Sequence, residues 1–426
     1  MRSPADGDDI APMPPASNKV FVLQALPGQN GLARISNPKL RVSTPEDGYR
    51  PHQITLFPAS LDFAFADRFE EIPDWAWAPA REGRGKVVFD ASLEGHPHKP
   101  DRTWALHGVL ERAGVPKQNA VYLTQDRGYA EAYRRHCEEA GVGPPMKVLV
   151  YDYWIRRVMR LHETNGEATF QARLQSYEAR ARRRGRRFLS LNQTLRYAKV
   201  LFLLRLMRDG LWSQGAISVG GLAHRQSKGM SDLELDRQLF SHPGFEDLSR
   251  ELRPSLPQLA ALGRVMFSAA APGGAKSIMP DDPLAEYADT WFSVVTETEM
   301  RERPQRITEK PLKALLNFHP LIVLGNFGSL GLLRDYGFES YPAMFDEAYD
   351  EEADPRRRFE MVYREVERLC ALDEAELDRL DRASREAVVR NARHGLVDLP
   401  RRFREEIDPK LVRDILEPEP GADAAT

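Results

Sequence analysis

The sequence predicts an α/β protein of two lobes, each built on a parallel sheet. Three observations carry this. At 426 residues the chain is too long for one compact core. Short, almost wholly apolar runs alternate with helical stretches, which is the pattern of βαβ units whose strands are covered on both faces. The alternation breaks once, at the arginine-dense EARARRRGRR (178–187), and then restarts.

Taken in order, VFVLQAL from residue 20, GKVVFD (85–90), NAVYLTQD (119–126) and MKVLVYD (146–152) read as buried strands. Between the last three lie DRTWALHGVLERAGV and GYAEAYRRHCEEAGV, helical stretches that each stop at a glycine. These define a first lobe over 19–177. After the 178–187 junction, strand FLSLN (188–192) and helix YAKVLFLLRLMRDG (197–210) open a second lobe over 188–370. Residues 220–285 show only short helical pieces. FSVV (292–295), LIVLG (321–325) and RRRFEMVYREVERLCAL complete the lobe, and mixed-charge helices follow over 371–416. The Pro-, Ala-, Gly- and acid-rich ends, 1–18 and 417–426, bury too little apolar surface to offset the entropy of ordering, so both are expected to be disordered tails.

Composition excludes several classes. A net charge of -3 gives no global attraction for nucleic acid or an anionic membrane. Cys137 and Cys370 are the only cysteines, which supports neither a disulfide framework nor a thiolate metal cluster. The start lacks the basic-then-apolar order of an export signal, and no stretch approaches the ~20 apolar residues of a membrane span. The expected location is cytoplasmic, including the inner face of the membrane.

The most informative stretch is RITEKPLKALLNFHPLIVLGNFGSL (306–330). Pro311 suits a first helical turn, so Glu309 and Lys310 fall at the start of a helix whose stripe is Leu312, Leu315 and Leu316. A second helix is expected to begin at Ser329, after a GNFGS turn. Ligands of open parallel sheets collect beyond the strand carboxyl ends, where helix N-termini favour anions. Lys310 suits a diphosphate and Glu309 the hydroxyls of a ribose. The bland alternative is Thr308 and Glu309 as helix caps beside an exposed lysine.

The segment FSVVTETEM…RITEKPLKALLNFHPLIVLG resembles the donor-site motif of the α1,3-fucosyltransferase family, with the spacing kept through Gly325. FLSLNQTLRYAKVLFLLRL is similar to that family's strand, Asn-containing loop and Arg-led helix. GSLGLLRDYGFESYPAMFDEAYDEE resembles a looser group of bacterial and phage glycosyltransferase-like proteins. The resemblance implies a GT-B fold, two Rossmann-like lobes facing across a cleft, and an inverting, metal-independent transfer from a nucleotide sugar, GDP-linked and fucose-like in the family. It implies that Arg196 and Lys310 contact the diphosphate, that Glu309 holds the ribose, and that Asn192, Glu297, Thr308, Gly325 and Ser329 belong to the donor site. The chain departs from the motif at Thr298, where the family has Asn, and in a longer insert before Ile307.

Inverting transfer needs a base for the acceptor hydroxyl. VVFDASLEGHPH places Asp90 at a strand end and Glu94 in the loop beyond. The family's catalytic Glu lies in a similar segment, so Glu94 is the candidate, with Asp90 as helper. His96 and His98 lack a third ligand at metal-site spacing. Asp6-Gly7-Asp8, the only Asp-x-Asp triplet, falls in the N-terminal tail. No metal and no cofactor are expected, and the expected partners are a nucleotide sugar and a glycan or lipid-linked glycan, with peripheral membrane contact for the latter. Two other functions fit the sequence: an inactive nucleotide-sugar or glycan-binding protein, and a nucleic-acid-binding protein acting through Arg180, Arg182, Arg183, Arg184, Arg186 and Arg187.

Overall fold

The computed structural model describes residues 20–24, 40–42, 53–58, 74–93, 95–180, 183–221, 239–267, 284–303 and 306–417. The first lobe's sheet has six strands, β1 (Val20–Gln24), β2 (Leu40–Val42), β3 (Gln53–Pro58), β4 (Gly85–Asp90), β5 (Ala120–Thr124) and β6 (Lys147–Val150). Their order is β2-β1-β3-β4-β5-β6, parallel at every pairing. Helices α1 (Pro100–Ala113) and α2 (Tyr129–Ala140) connect the last strands, each stopped by a left-handed glycine, Gly114 and Gly141. The sequence pattern missed β2 and β3. β2 spans three residues, and β3 ends on Pro58, which lacks the N–H a sheet ladder uses.

The second sheet holds β7 (Phe188–Asn192), β8 (Gly215–Val219), β9 (Phe292–Thr296) and β10 (Leu321–Leu324) in the order β10-β9-β7-β8, again parallel. β8 was also missed: GAISV carries two small residues and a serine, too weak an apolar run to read as a strand. From β7 the chain steps outward to β8 and then returns to the opposite side of β7 for β9. The strand order therefore reverses between β7 and β9, and a crevice outside their carboxyl ends is the expected ligand site.

The helices distribute differently from the sequence boundaries. α3 (Tyr153–Leu161) and α4 (Gly166–Glu178), expected in the first lobe, bury Ile155, Val158, Met159, Phe170 and Tyr177 in the second lobe's core. The core boundary thus falls near residue 152, because the apolar faces of these helices match the second sheet's helical layer. α5 (Tyr197–Arg208), at the centre of this core, is buried from Tyr197 through Leu204. α9 (Pro355–Ala371) and α10 (Glu374–Arg393) belong to the same core. The last helix, α11 (Asp408–Leu416), instead crosses back: Leu411 and Ile415 pack with Ile54, Val88, Val121 and Leu123 of the first sheet.

Two buried ionic networks hold this crossing. Arg156, 1% exposed, reaches Asp408 at 2.7 Å and Glu163 at 2.6 Å. Asp152, from the loop before α3, accepts from both arms of Arg127 in the first lobe and, at 2.7 Å, from the Tyr336 hydroxyl in the second. Three members of the arginine run are structural too, while Arg183 is exposed beside Glu374. Arg180 donates to the carbonyls of Asn317 and Phe318, Arg184 to Thr290 and Asp381 while lying over Trp291, and Arg186 to Gly215. Arg182 lies outside the described residues. Guanidinium groups spent on carbonyls do not form the continuous cationic face that phosphate-backbone binding requires. Among the described residues no helix is long and apolar enough to cross a membrane.

Asp408→Ala leaves Arg156 buried with one carboxylate fewer, and removing one partner of a buried pair costs about 3–5 kcal/mol. Urea unfolding should show a loss of that size; a loss below about 1 kcal/mol would mean that the pair does not anchor α11.

Candidate functional site

β9 is buried along its whole length, and its next residue, Glu297, is a carboxylate 6% exposed. A charge at such a depth needs partners. Thr308, at the far end of the loop that follows, supplies the nearest: its hydroxyl lies 2.7 and 2.8 Å from the two Glu297 oxygens. Lys310 Nζ stands 3.3 Å from Glu297, 3.3 Å from the Thr298 hydroxyl and 3.1 Å from that of Thr308. Thr308 is also the N-cap of α7 (Glu309–Leu316), its oxygen accepting from the Lys310 backbone N–H. One threonine therefore caps the helix and anchors the strand end. The capping alternative read from the sequence and the ionic one are both present in the same residues.

Gly325, directly after β10, makes room for this arrangement. A Cβ there would come 3.1 Å from both Cβ and Cγ of Glu297. Behind it, fully buried Arg358 on α9 donates to the Gly325 carbonyl at 2.9 Å and to the Arg301 carbonyl at 2.8 Å, so one guanidinium holds the loops after β9 and β10.

Glu309 is half-buried. Burial pushes its carboxyl upward, but the ammonium groups of Lys310 and Lys313 outweigh this and the net shift is downward, so it stays charged at neutral pH. Arg196 holds the N-cap position of α5 in extended conformation. With Tyr197, His242, Thr298, Glu299 and Arg301 it lines a cleft of ≈ 810 Å³. Lys310 reaches the wall of that cleft through Thr298. The charges of Lys310 and Arg196 both lower the pKa of Lys199.

Asn192 and Ser329 sit differently from the expectation of donor contact. Asn192 is fully buried, donates to Ser190 and accepts from Thr296 at 2.7 Å, so its amide ties β7 to β9 at the reversal point. Ser329 opens α8 (Ser329–Asp335) and donates to the Asn326 carbonyl. The first amides of α8, at Leu330 and Gly331, are taken by the buried carboxylate of Asp350 at 2.9 and 3.1 Å. This helix start is closed by the protein's own anion, which the sequence pattern did not show.

Glu94, in the first lobe's sequence, lies outside the described residues. Its neighbours are pinned: the Leu93 carbonyl accepts from Trp154 and Gln125, and Arg306 of the second lobe packs against Gly95, where an added Cβ would meet Arg306 Cδ at 3.0 Å. Asp90 is buried and receives the backbone N–H and hydroxyl of Ser92, at 3.0 and 2.6 Å, an arrangement that holds the turn. His98 bonds Thr103 and packs among Tyr129, Tyr133 and His136. Burial lowers the pKa of His96, and Arg306 from the other lobe adds to this. Asp126, 3% exposed, is raised by burial and feels Arg301 and Arg306. His96 and Asp126 thus share the first lobe's facing edge with the loop that carries Glu94.

No protein-family model and no curated protein matches the chain. Solved structures similar to it include an α,α-trehalose-phosphate synthase (UDP-forming) from Burkholderia vietnamiensis, 9% identical over 96% of this chain and 98% of that one, with a TM-score of 0.42. An α,α-trehalose 6-phosphate synthase from Burkholderia multivorans is 11% identical over 86% and 72%, with a TM-score of 0.39. The N-terminal domain of Candida albicans trehalose-6-phosphate phosphatase is 12% identical over 87% and 71%, with a TM-score of 0.40. At this degree of likeness no residue role or substrate transfers.

Thr308→Val removes the cap of α7 and a hydrogen bond to a buried carboxylate at one stroke, together worth about 2–3 kcal/mol. Denaturant unfolding should show that loss; a change under about 0.5 kcal/mol would mean that Glu297 does not depend on Thr308.

Proposed function

We propose that the protein is a glycosyltransferase that takes its sugar from a nucleoside-diphosphate donor held in the second lobe. The observation that carries this is the cleft at the β7/β9 reversal, which Arg196 lines and whose wall, at Thr298, Lys310 reaches from beside the buried Glu297 carboxylate. Lys310 is anchored but remains partly exposed, so its ammonium keeps a face for an arriving anion. Glu309 is an acceptor-only group suited to ribose hydroxyls, and the resemblance to fucosyltransferases makes a guanosine diphosphate donor the first to test.

In this reading the acceptor hydroxyl sits against the first lobe's edge, where Glu94 takes its proton as the oxygen attacks the anomeric carbon. The bond from that carbon to the phosphate oxygen breaks on the opposite side, and its electron pair leaves with the diphosphate. Configuration inverts. Arg196 and Lys310 stabilise the charge developing on the leaving group, and Asn192 and Arg358 act from below by fixing the strand ends and loops. The packing of Arg306 on Gly95 keeps the loop with the base close to the donor lobe.

Thermal unfolding in the presence of GDP, UDP, CMP and dTDP tests the reading, because a ligand of the native state raises the melting temperature. One nucleotide should raise it, and its dissociation constant should weaken about 10- to 100-fold in Lys310→Ala, the loss of one charge-assisted bond. No stabilisation by any nucleotide, or an unchanged dissociation constant in the variant, would overturn the donor-site assignment. Release of nucleoside diphosphate that requires both an acceptor and an intact Glu94, tested by Glu94→Gln, separates transfer from binding alone.

A further inference from the structure

The helix that follows β7 reads YAKVLFLLRLMR, and all but three of its residues are buried. One of the buried ones is Lys199. It is 2% exposed, less than any other lysine described, and stands in the first turn of α5, three residues beyond Arg196. A helix N-terminus carries partial positive charge and an apolar surround cannot solvate an ammonium, so this is an unfavourable place for a lysine. Its charged neighbours come from every side: Arg196 from its own helix, Glu297 from the end of β9, Glu309 and Lys310 from the start of α7. Glu297 is already bonded by Thr308 and Lys310, and Glu309 is paired with Lys310 at 3.7 Å. Among the described residues the Lys199 ammonium forms no ion pair with either carboxylate.

Burial lowers the Lys199 pKa, the Lys310 charge lowers it further, and the two carboxylates offset only part of this, leaving it at about 7. At the alkaline end of the physiological range this amine is therefore largely without its proton. An anion of two or more charges between Arg196 and Lys310 reverses the local field and favours the ammonium form.

We propose that Lys199 is a third cation of the diphosphate site, uncharged while the site is empty and protonated as the anion arrives, so that donor binding takes up a proton. The inference rests on the donor-site reading above and adds to it a regulation: affinity falls as pH rises, and ligands without a polyanionic group do not draw the proton in. Lys199 acts on the leaving group through charge and takes no part in moving the acceptor's proton.

Calorimetric titration of the full chain at pH 8, in two buffers of different ionisation enthalpy, counts the protons. The probes are GDP, UDP, ADP, dTDP and inorganic pyrophosphate. The native protein should take up close to one proton per bound anion, and its dissociation constant should rise about eightfold between pH 7.5 and pH 8.5. In Lys199→Met the uptake should vanish and the pH dependence flatten. In His242→Gln, a change to another titratable group lining the cleft, the uptake should persist. A native protein that binds an anion with no proton uptake overturns the inference whatever the variants do, so a misfolded Lys199→Met leaves the test decisive. Proton-linked binding of pyrophosphate without binding of any nucleoside diphosphate supports the role of Lys199 and overturns the proposed function; binding of none of the probes overturns both.

Discussion

The buried carboxylate of Glu297 is the constraint on which the second lobe's site depends. It sits one residue past the end of β9, beside the point where the strand order reverses, in surroundings that would not tolerate it unpaired. Satisfying it fixes much else. Thr308 must present its hydroxyl from the N-cap of α7, which sets where that helix begins. Lys310 follows two residues later and adds its charge, and at position 325 a Cβ would crowd Cβ and Cγ of Glu297 at 3.1 Å. Arg358 then binds the carbonyls on both neighbouring loops, so the strand ends, the helix start and the supporting helix form one rigid unit.

This unit gathers several cations. Arg196, Lys199, Lys310 and Lys313 gather around Glu297 and Glu309, and burial depresses the pKa values of Lys199 and Lys313. By contrast the neighbouring helix start at Ser329 already has its anion, in Asp350. Two helix starts beside adjacent strands thus differ in their chemistry: Asp350 takes the first amides of α8, whereas Thr308 caps α7 and Lys310 stands in its first turn.

The parallel sheets were legible because strands covered on both faces must be apolar throughout, as in GKVVFD, FLSLN and LIVLG. β3 and β8 were not, since Pro58 and the small residues of GAISV dilute that signal while the neighbouring strands supply the stability. The Thr308–Lys310 stretch was legible from local helix chemistry. Lys199 was not: inside YAKVLFLLRLM a lone lysine reads as an exposed position on an apolar helix, and only the three-dimensional wrapping of α5 buries it. The arginine run shows the limit of charge density as a signal: Arg180, Arg184 and Arg186 turn back onto carbonyls, contacts set by tertiary structure alone, while Arg183 stays exposed. Asp350 as a plug and Arg358 as a clamp likewise sit 19 or more residues from the α8 amides and the Gly325 and Arg301 carbonyls they satisfy.

The connection between lobes completes the argument about the site. α3 and α4 follow the first sheet but pack in the second core, and α11 follows the second core but packs on the first sheet, so the chain passes between lobes twice on rigid elements. Asp152 binds Arg127 and Tyr336 at one crossing, and Asp408 binds Arg156 at the other. The facing edges of the two lobes meet where Arg306 packs against Gly95.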